Sequence, residues 1–481
     1  MSFSAAKTMV SGVVVVLVMA TAIASVSATA AGGVSDCAGS ASDAKPIMEP
    51  SLAGFEKMRV PNGVRVNVPL TPTNTTVAFP SHFPLAVVDT SGGPYKTGVA
   101  LGQLLADDAK AFVPNFIPDV AAEIEAALKD SRYEKYAKLL PSWFIDAFLV
   151  DGIHAALRVT VWMTKKYTPQ RYLDEMQGFA DGAGVEMNDL LLLNAFPELI
   201  KAACTIVIAS GEATATGGVS QLRALDFGLD LVVWKYPVVV AYTGSNAEDH
   251  GTVDFVSVTF PGFLGSITGM NRNIGICEKA WFMDPAKNDS RFGQPFPFTI
   301  REVVEFFSTV EDGVQHVKDS RRTCSTFMGI GGRSTSSNNG LGGEILLTDH
   351  VNVTEYTDTN YHDVFPENQT KGTPEHLVRP GLVYVDKTLQ PSHDNCTNAL
   401  MDESYGQLDA AVLIQNVLPQ ARTGDLHAAV YEFAADGSTS TIFVGFPGTD
   451  DADGSGKPIP AYQRSFVRMD LDAIFGLLSN K

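Results

Sequence analysis

The chain has 481 residues, 45% of them hydrophobic, and a net charge of -19. Its isoelectric point near 4.8 excludes the basic surface that nucleic acid demands and suits a mildly acidic lumen, where part of the carboxylate charge is lost. The five cysteines are an odd count, so in an oxidising compartment one thiol stays free or bridges to another chain.

The first element is an apolar run, MVSGVVVVLVMATAIA, from Met9 to Ala24, preceded by Lys7 and followed by the small residues SVSATAA. This pattern predicts a secretory signal peptide over residues 1–30, cut near Ala28 to Ala31. A retained anchor is the alternative, because the run approaches the lower limit for spanning a bilayer. Five N-x-S/T sequons, at Asn74, Asn288, Asn352, Asn368 and Asn395, agree with secretion. From Val99 to Trp162 the apolar spacing is helical, in ALGQLLADDAKAFV, DVAAEIEAALKDSRYEKYAKLL and WFIDAFLVDGIHAALRVTVW. A further helix, PQRYLDEMQGFADGAGV, ends in glycines, and EMNDLLLLNAFPELIKAA then carries the chain up to Cys204. Residues 31–203 are therefore expected to be mainly helical.

At Cys204 the pattern changes to alternating, β-branched runs: CTIVIAS, GGVSQLRALDF, YPVVVAYTG, TVDFVSVTF and SITGMNRNIGICE. Helices from about Phe298 to Val317 and from about Asn398 to Val417 alternate with strands at EILLTDH, GLVYVDK, LHAAVYEFA and TSTIFVGF. The glycine-rich GIGGRSTSSNNGLGG, residues 329 to 343, lacks the Lys-Ser/Thr of a phosphate-binding loop and reads as a flexible surface loop. The whole is an α+β chain in which helices and sheets are layered, with no internal repeat and no linker dividing it.

A cysteine that opens the first strand of a sheet is the arrangement an N-terminal-nucleophile hydrolase requires. Such an enzyme cuts the bond before its nucleophile and uses the freed α-amine as its base. That group titrates near pH 7.7 to 8 when unperturbed, and burial brings it toward the working pH. The segment RYLDEMQGFADGAGVEMNDLLLLNAFPELIKAACTIVIA, residues 171 to 209, resembles the cysteine branch of that superfamily. The branch groups acid ceramidase, N-acylethanolamine acid amidase, choloylglycine hydrolase and the penicillin acyltransferase type. Arg223-Ala-Leu-Asp226 resembles the group's R-x-x-D strand, and GFLGSITGMNRNIGI, residues 262 to 276, its glycine-rich turn.

The resemblance implies a four-layer αββα sandwich, a light chain over 31–203 and a heavy chain over 204–481. It implies Cys204 as nucleophile, Arg223 beside the thiolate, Asp226 orienting the α-amine and Asn271 holding the oxyanion. On a regular strand Asp226 would point away from Arg223, so a bulge or strand end is expected to reconcile them. For a late-strand asparagine and its arginine, Asn360 and Arg379 compete with Asp386, which has the better strand context.

The implied substrate is a linear amide of an N-acyl lipid, of the ceramide or N-acylethanolamine type, cleaved through an acyl-thioester in a lysosomal or secreted setting. The apolar helix over 141–163 would offer a groove or transient membrane-surface contact. An acyltransferase or phospholipase B-like acyl hydrolase on the same fold is the alternative, as is a non-enzymatic glycoprotein with Cys204 in a disulfide. No G-x-S-x-G elbow supports a serine hydrolase. No cofactor is expected, and no metal, because His350, His362, His393 and His427 lack ligand spacing. Of the remaining cysteines, Cys277 is expected to pair with Cys324, leaving Cys37 and Cys396 to tie the light chain to the heavy chain.

Overall fold

The computed structural model describes residues 37–70, 80–128, 142–199, 202–244, 252–281, 289–362, 375–388, 393–449 and 458–479. The expected signal peptide, the sequons at Asn74, Asn288 and Asn368, and residues 129–141 of an expected helix lie outside them.

In chain order, β1 (Lys57–Val60), β2 (Gly63–Pro69) and β3 (His82–Asp89) come first. Helices α1 (Pro94–Leu104), α2 (Ala106–Leu128), α3 (Ser142–Thr164), α4 (Gln170–Ala183) and α5 (Met187–Ala195) follow. Next are β4 (Ala203–Ser210), β5 (Val219–Asp226), β6 (Val238–Thr243), β7 (Phe255–Thr259), β8 (Thr268–Asn271) and β9 (Ile274–Ala280). Two helices, α6 (Phe296–Phe306) and α7 (Val310–Asp319), precede β10 (Thr326–Arg333), β11 (Leu341–Thr348), β12 (Val353–Tyr356) and β13 (Leu382–Val385). Helix α8 (Asn395–Glu403) and a helical run over 410–421 lead to β14 (His427–Phe433), β15 (Ser440–Gly445), β16 (Val467–Asp470) and α9 (Leu471–Ser479).

These strands form two sheets in a mixed α+β chain. A ten-stranded sheet has the order β1-β2-β3-β6-β7-β8-β9-β10-β11-β12, and a six-stranded sheet the order β13-β4-β5-β14-β15-β16. All eight residues of β4 are buried, the polar Thr205 and Ser210 included, so both faces of the strand are covered. Its side chains alternate. Ile206 and Ile208 enter the apolar layer shared with Phe83, Leu85, Val256 and Phe327 of the other sheet. Val207 and Ala209 enter a second layer against Leu400, Leu413 and Ile414 of the helices over 395–421. A third cluster packs α1, α2, α4, α5 and α6 against the other face of the ten-stranded sheet.

The glycines closing the helix that resembles the family pattern are packing glycines. A Cβ at Gly178 would lie 2.0 Å from Tyr95 O and one at Gly182 2.3 Å from Val99 O, so α4 and α1 meet backbone to backbone. In the same helix Glu175 receives two hydrogen bonds from Arg301 of α6, at 3.1 and 2.6 Å, joining the two halves of the chain deep in the interior.

Four features differ from the sequence reading, one being that the expected helix from Asn398 to Val417 is broken by the non-helical residues 404–409 between α8 and the run over 410–421. Strands β1 to β3 precede the helices, and β3 pairs in parallel with β6, so the N-terminal half contributes to the larger sheet. The expected helix from Phe298 to Val317 is two helices, because Phe307 turns to an extended conformation and Thr309 caps α7 by accepting from the Asp312 amide. The glycine-rich segment at 329 to 343 is strand at both ends, in β10 up to Arg333 and in β11 from Leu341, with a loop only over 334–340. A Cβ at Gly329 would come within 2.7 Å of Ile206 Cγ2, so glycine there permits close approach of the two sheets.

Candidate active site

Cys204 is the second residue of β4, fully buried, and its thiol is free. That excludes, in this structure, the disulfide-bonded Cys204 of the non-enzymatic alternative. Its Sγ lies 3.7 Å from Ala202 O, one residue short of the carbonyl that a self-cleavage would attack. The ladder between β4 and β5 runs without a bulge from Ser210↔Val219 to Ala203↔Asp226. Ile206 therefore faces Arg223, and Cys204 faces Leu225, which puts the thiol and the guanidinium diagonally on one face.

Arg223 is fully buried and spends its donors locally. Its Nη2 donates to Glu278 Oε1 at 2.9 Å, its Nε to Thr268 Oγ1 at 3.3 Å and its Nη1 to Ala224 O at 2.9 Å. Thr268 in turn is hydrogen-bonded to His427 Nε2 at 2.9 Å, the donor being set by the tautomer of the ring. Burial, reinforced by Arg223, holds His427 well below the ordinary histidine range, so this imidazole is neutral. Burial also pushes the Cys204 thiol up to about 12, while Arg223 pulls in the opposite direction. In the uncut chain the sulfur is consequently a thiol, and making it a nucleophile requires a base.

The expected site residues divide between this cluster and distant positions. Asp226 points away from Arg223, as a regular strand dictates. It accepts from Thr423 Oγ1 at 2.7 Å and from the amides of Gly424 and Asp425 at 2.7 and 3.3 Å. The Thr423 hydroxyl is itself bonded to the Thr205 hydroxyl at 2.8 Å, so Asp226 is linked through two side chains to the start of β4, without a bulge in the ladder.

Asn271 is a hairpin anchor. Its oxygen accepts from the Asn273 and Ile274 amides at 2.8 and 2.9 Å, and its nitrogen donates to Val304 O and Phe307 O at 2.9 and 2.8 Å. All four hydrogen-bonding positions of that amide are used, which leaves none for an oxyanion.

Asn360 and Arg379 are also placed apart from Cys204. Gly381 pairs with Ser210 at the other end of β4, six residues and on the order of 20 Å from Cys204. Asn360 is exposed in a turn against His362, and Arg379 is bonded to Asp402 and stacked on Tyr405. The strand β13 ends with Val385, which pairs with Ile206, and Asp386 follows it directly at the Cys204 end. Asp386 is 1% exposed and accepts from the Thr388 and Asp394 amides.

The cysteine pairing is half as expected. Cys37 and Cys396 form a disulfide, whereas Cys277 and Cys324 are both free and buried. Cys277 accepts from Gln221 Nε2 at 3.3 Å between the sheets, while Cys324 lines a pocket and donates to Glu198 at 3.9 Å. Their contacts draw them to different neighbours.

That pocket is the part of the site that sequence reading missed. Its volume is about 80 Å³, and seven of its nineteen described lining residues are phenylalanines, among them Phe112, Phe116, Phe196, Phe260 and Phe296. Ala202, two residues before Cys204, and Leu225, the ladder partner of Cys204, form part of its wall. Glu278 is the one charged group among its described lining residues, and it is the carboxylate that Arg223 holds. Burial raises the Glu278 pKa, with Arg223 and Lys279 opposing. The lining comes from segments more than 300 residues apart in the chain, so no local motif marks it. Glu278 and Lys279 did leave a trace, as charges inside the apolar run IGICEKAWF.

No protein-family model matches the chain. Protein dcd1A of Dictyostelium discoideum is 35% identical over 397 residues, which cover 81% of this chain and 85% of that protein. Protein dcd1B of the same organism is 31% identical over 396 residues, covering 81% of this chain and 75% of that protein. An uncharacterized protein of Archaeoglobus fulgidus is 27% identical over 262 residues, 48% of this chain and 38% of its own. The chain belongs to the family of the Dictyostelium proteins dcd1A and dcd1B.

Proposed function

We propose that the chain is a self-processing amidase of the N-terminal-nucleophile type, with Cys204 as its nucleophile and an N-acyl lipid amide as its substrate. The observation that carries this reading is the thiol beside a buried arginine at the head of β4, with Ala202 and Leu225 next to it walling an apolar pocket. The two sheets with helices on their outer faces would be the αββα sandwich of such enzymes.

In the self-cleavage, Cys204 Sγ attacks the Ala203 carbonyl carbon. The Ala203–Cys204 C–N bond breaks, and the nitrogen leaves as an amine carrying the thiol proton. Water then breaks the resulting thioester, giving an Ala203 carboxyl group and a Cys204 that bears both thiol and α-amine. That amine would emerge next to Ala203, whose ladder partner is Asp226, which supports Asp226 as the group that orients it. In turnover the same sequence runs on a substrate amide, with the acyl chain in the aromatic pocket and the amine as leaving group.

Arg158, Val159, Trp162, Lys165 and Lys166 form one exposed stretch from the end of α3 into the following turn, with Trp162 at 76% exposure. A basic, aromatic surface on an acidic protein suits transient contact with an anionic lipid surface. Trp162→Ala should reduce co-sedimentation with vesicles containing phosphatidylserine severalfold; undiminished binding would remove this helix from the interface. The Cys37–Cys396 disulfide supports a secreted or lysosomal setting.

The decisive test is N-terminal sequencing of the mature protein beside Cys204→Ala. A heavy fragment beginning Cys-Thr-Ile-Val-Ile is expected in the wild type and only the uncut chain in the variant. On denaturing gels the two fragments should run together without reductant and separate with it. Uncut chains in both would sink the mechanism.

A further inference from the structure

Glu198 lies six residues before Cys204, at the end of the short 3-10 turn Phe196–Glu198. It is a carboxylate with 1% exposure, in the part of the chain that would become the end of the light chain. Among the described residues, the hydrogen-bond partners of its carboxylate all belong to the part that would become the heavy chain. Arg291 Nη1 donates to Oε2 at 2.8 Å. The Phe296 amide and Thr323 Oγ1 each donate to Oε1 at 2.9 Å, and Cys324 Sγ approaches the same oxygen at 3.9 Å. The Phe296 amide belongs to the first turn of α6, so the carboxylate also meets the positive end of that helix. Glu198, Arg291 and Thr323 thus bolt together three segments around the pocket, whose wall includes Phe196, Pro197, Ala202, Phe296 and Cys324.

The bond to be cut is held from two sides. Downstream, residues 203–210 are locked in the ladder with β5. Upstream, the last buried anchor before Cys204 among the described residues is Glu198. Attack of a thiol on the carbonyl of the preceding residue closes a small ring, and its rate depends steeply on how that peptide is presented. A segment free to slide toward solvent would present the carbonyl in many orientations. One tied at both ends presents few.

We propose that Glu198 is a positioning residue for self-cleavage, and that after the cut it keeps the new light-chain end in place as a wall of the substrate pocket. The inference rests on the reading of Cys204 as a self-processing nucleophile. It adds a requirement for a buried interchain clamp that no chemical step uses.

The test follows cutting of freshly purified chain by denaturing gel for the wild type, Glu198→Gln and Thr323→Val, with thermal midpoints measured alongside. Glu198→Gln keeps the shape and loses the charge, so it should cut about tenfold or more slowly. Thr323→Val removes one donor to the carboxylate and should fall between. Material that has finally been cut should show a raised KM on N-lauroyl aminomethylcoumarin with kcat changed less than twofold, a split that lowered stability alone does not produce.

Equal cutting rates in the wild type and a folded Glu198→Gln would overturn the inference and leave the nucleophile reading intact. If Glu198→Gln does not fold, Thr323→Val decides, and wild-type rate and KM in that variant overturn the inference equally. A wild type that never cuts overturns the nucleophile reading itself, and the clamp with it.

Discussion

At the scale of single residues, the site depends on one buried ion pair doing two jobs. Arg223 lies diagonally from the Cys204 thiol on one face and also neutralises Glu278, with side-chain exposures of 0% and 6% for the pair. Removing one partner of such a pair leaves an uncompensated charge and typically costs about 3–5 kcal/mol. Arg223→Gln should therefore lose both cutting and stability. The double variant with Glu278→Gln should regain most of the thermal midpoint and none of the cutting. Recovery of cutting in the double variant would show that Arg223 serves the fold alone. A second residue-scale effect is electrostatic. Burial, and then Asp226, pushes the Asp425 pKa from an ordinary 3.8 up to about 7. The folded protein then holds a proton that the unfolded chain releases, so stability should fall as pH rises from about 4 to about 7. Asp425→Asn should flatten that slope in thermal melts, and an unchanged slope would assign the pH dependence to other groups.

At the scale of elements, which end of a strand a residue occupies decides its relevance. Asn360 and Arg379 lie at the end of β4 remote from Cys204, while Asp386 lies at the near end. Asn360→Ala combined with Arg379→Ala should cut within about twofold of wild type. Asp386→Asn should slow cutting about tenfold, equivalent to ~1.4 kcal/mol, since Asp386 is one of the charges that oppose the loss of charge on buried Lys279. The reverse ranking would restore the Asn360 assignment. Much of this architecture was legible because it is written locally. The switch from helical to alternating spacing locates β4, and the Arg-x-x-Asp spacing locates two residues whose divergent directions follow from strand geometry alone. What was illegible needs the third dimension. Asn271 looks like a donor until both ends of its amide are found engaged in the hairpin and α6. Gly329 looks like a loop until Ile206 is found against it. The strand GVRVNVP alternates clearly, yet its membership of the sheet is conferred by β3 and β6, the latter some 170 residues later.

At the scale of the whole molecule, the N-terminal half is built into the rest by covalent, polar and apolar ties together. Cys37 is bonded to Cys396, Glu175 to Arg301, Asn194 to the Leu264 and Gly265 amides, and β3 lies beside β6. The order of strands in the smaller sheet has a further meaning for biosynthesis. β4 sits between β5, which follows within a few residues, and β13, which begins at Leu382. On the outer side of β5 lies β14, which begins at His427. A ribosome must therefore have translated most of the chain before the strand bearing Cys204 has both of its neighbours. Cleavage before Cys204 would be intrinsically post-translational, timed by the emergence of the C-terminal strands, and a nascent or prematurely terminated chain would carry its thiol on an unfinished edge.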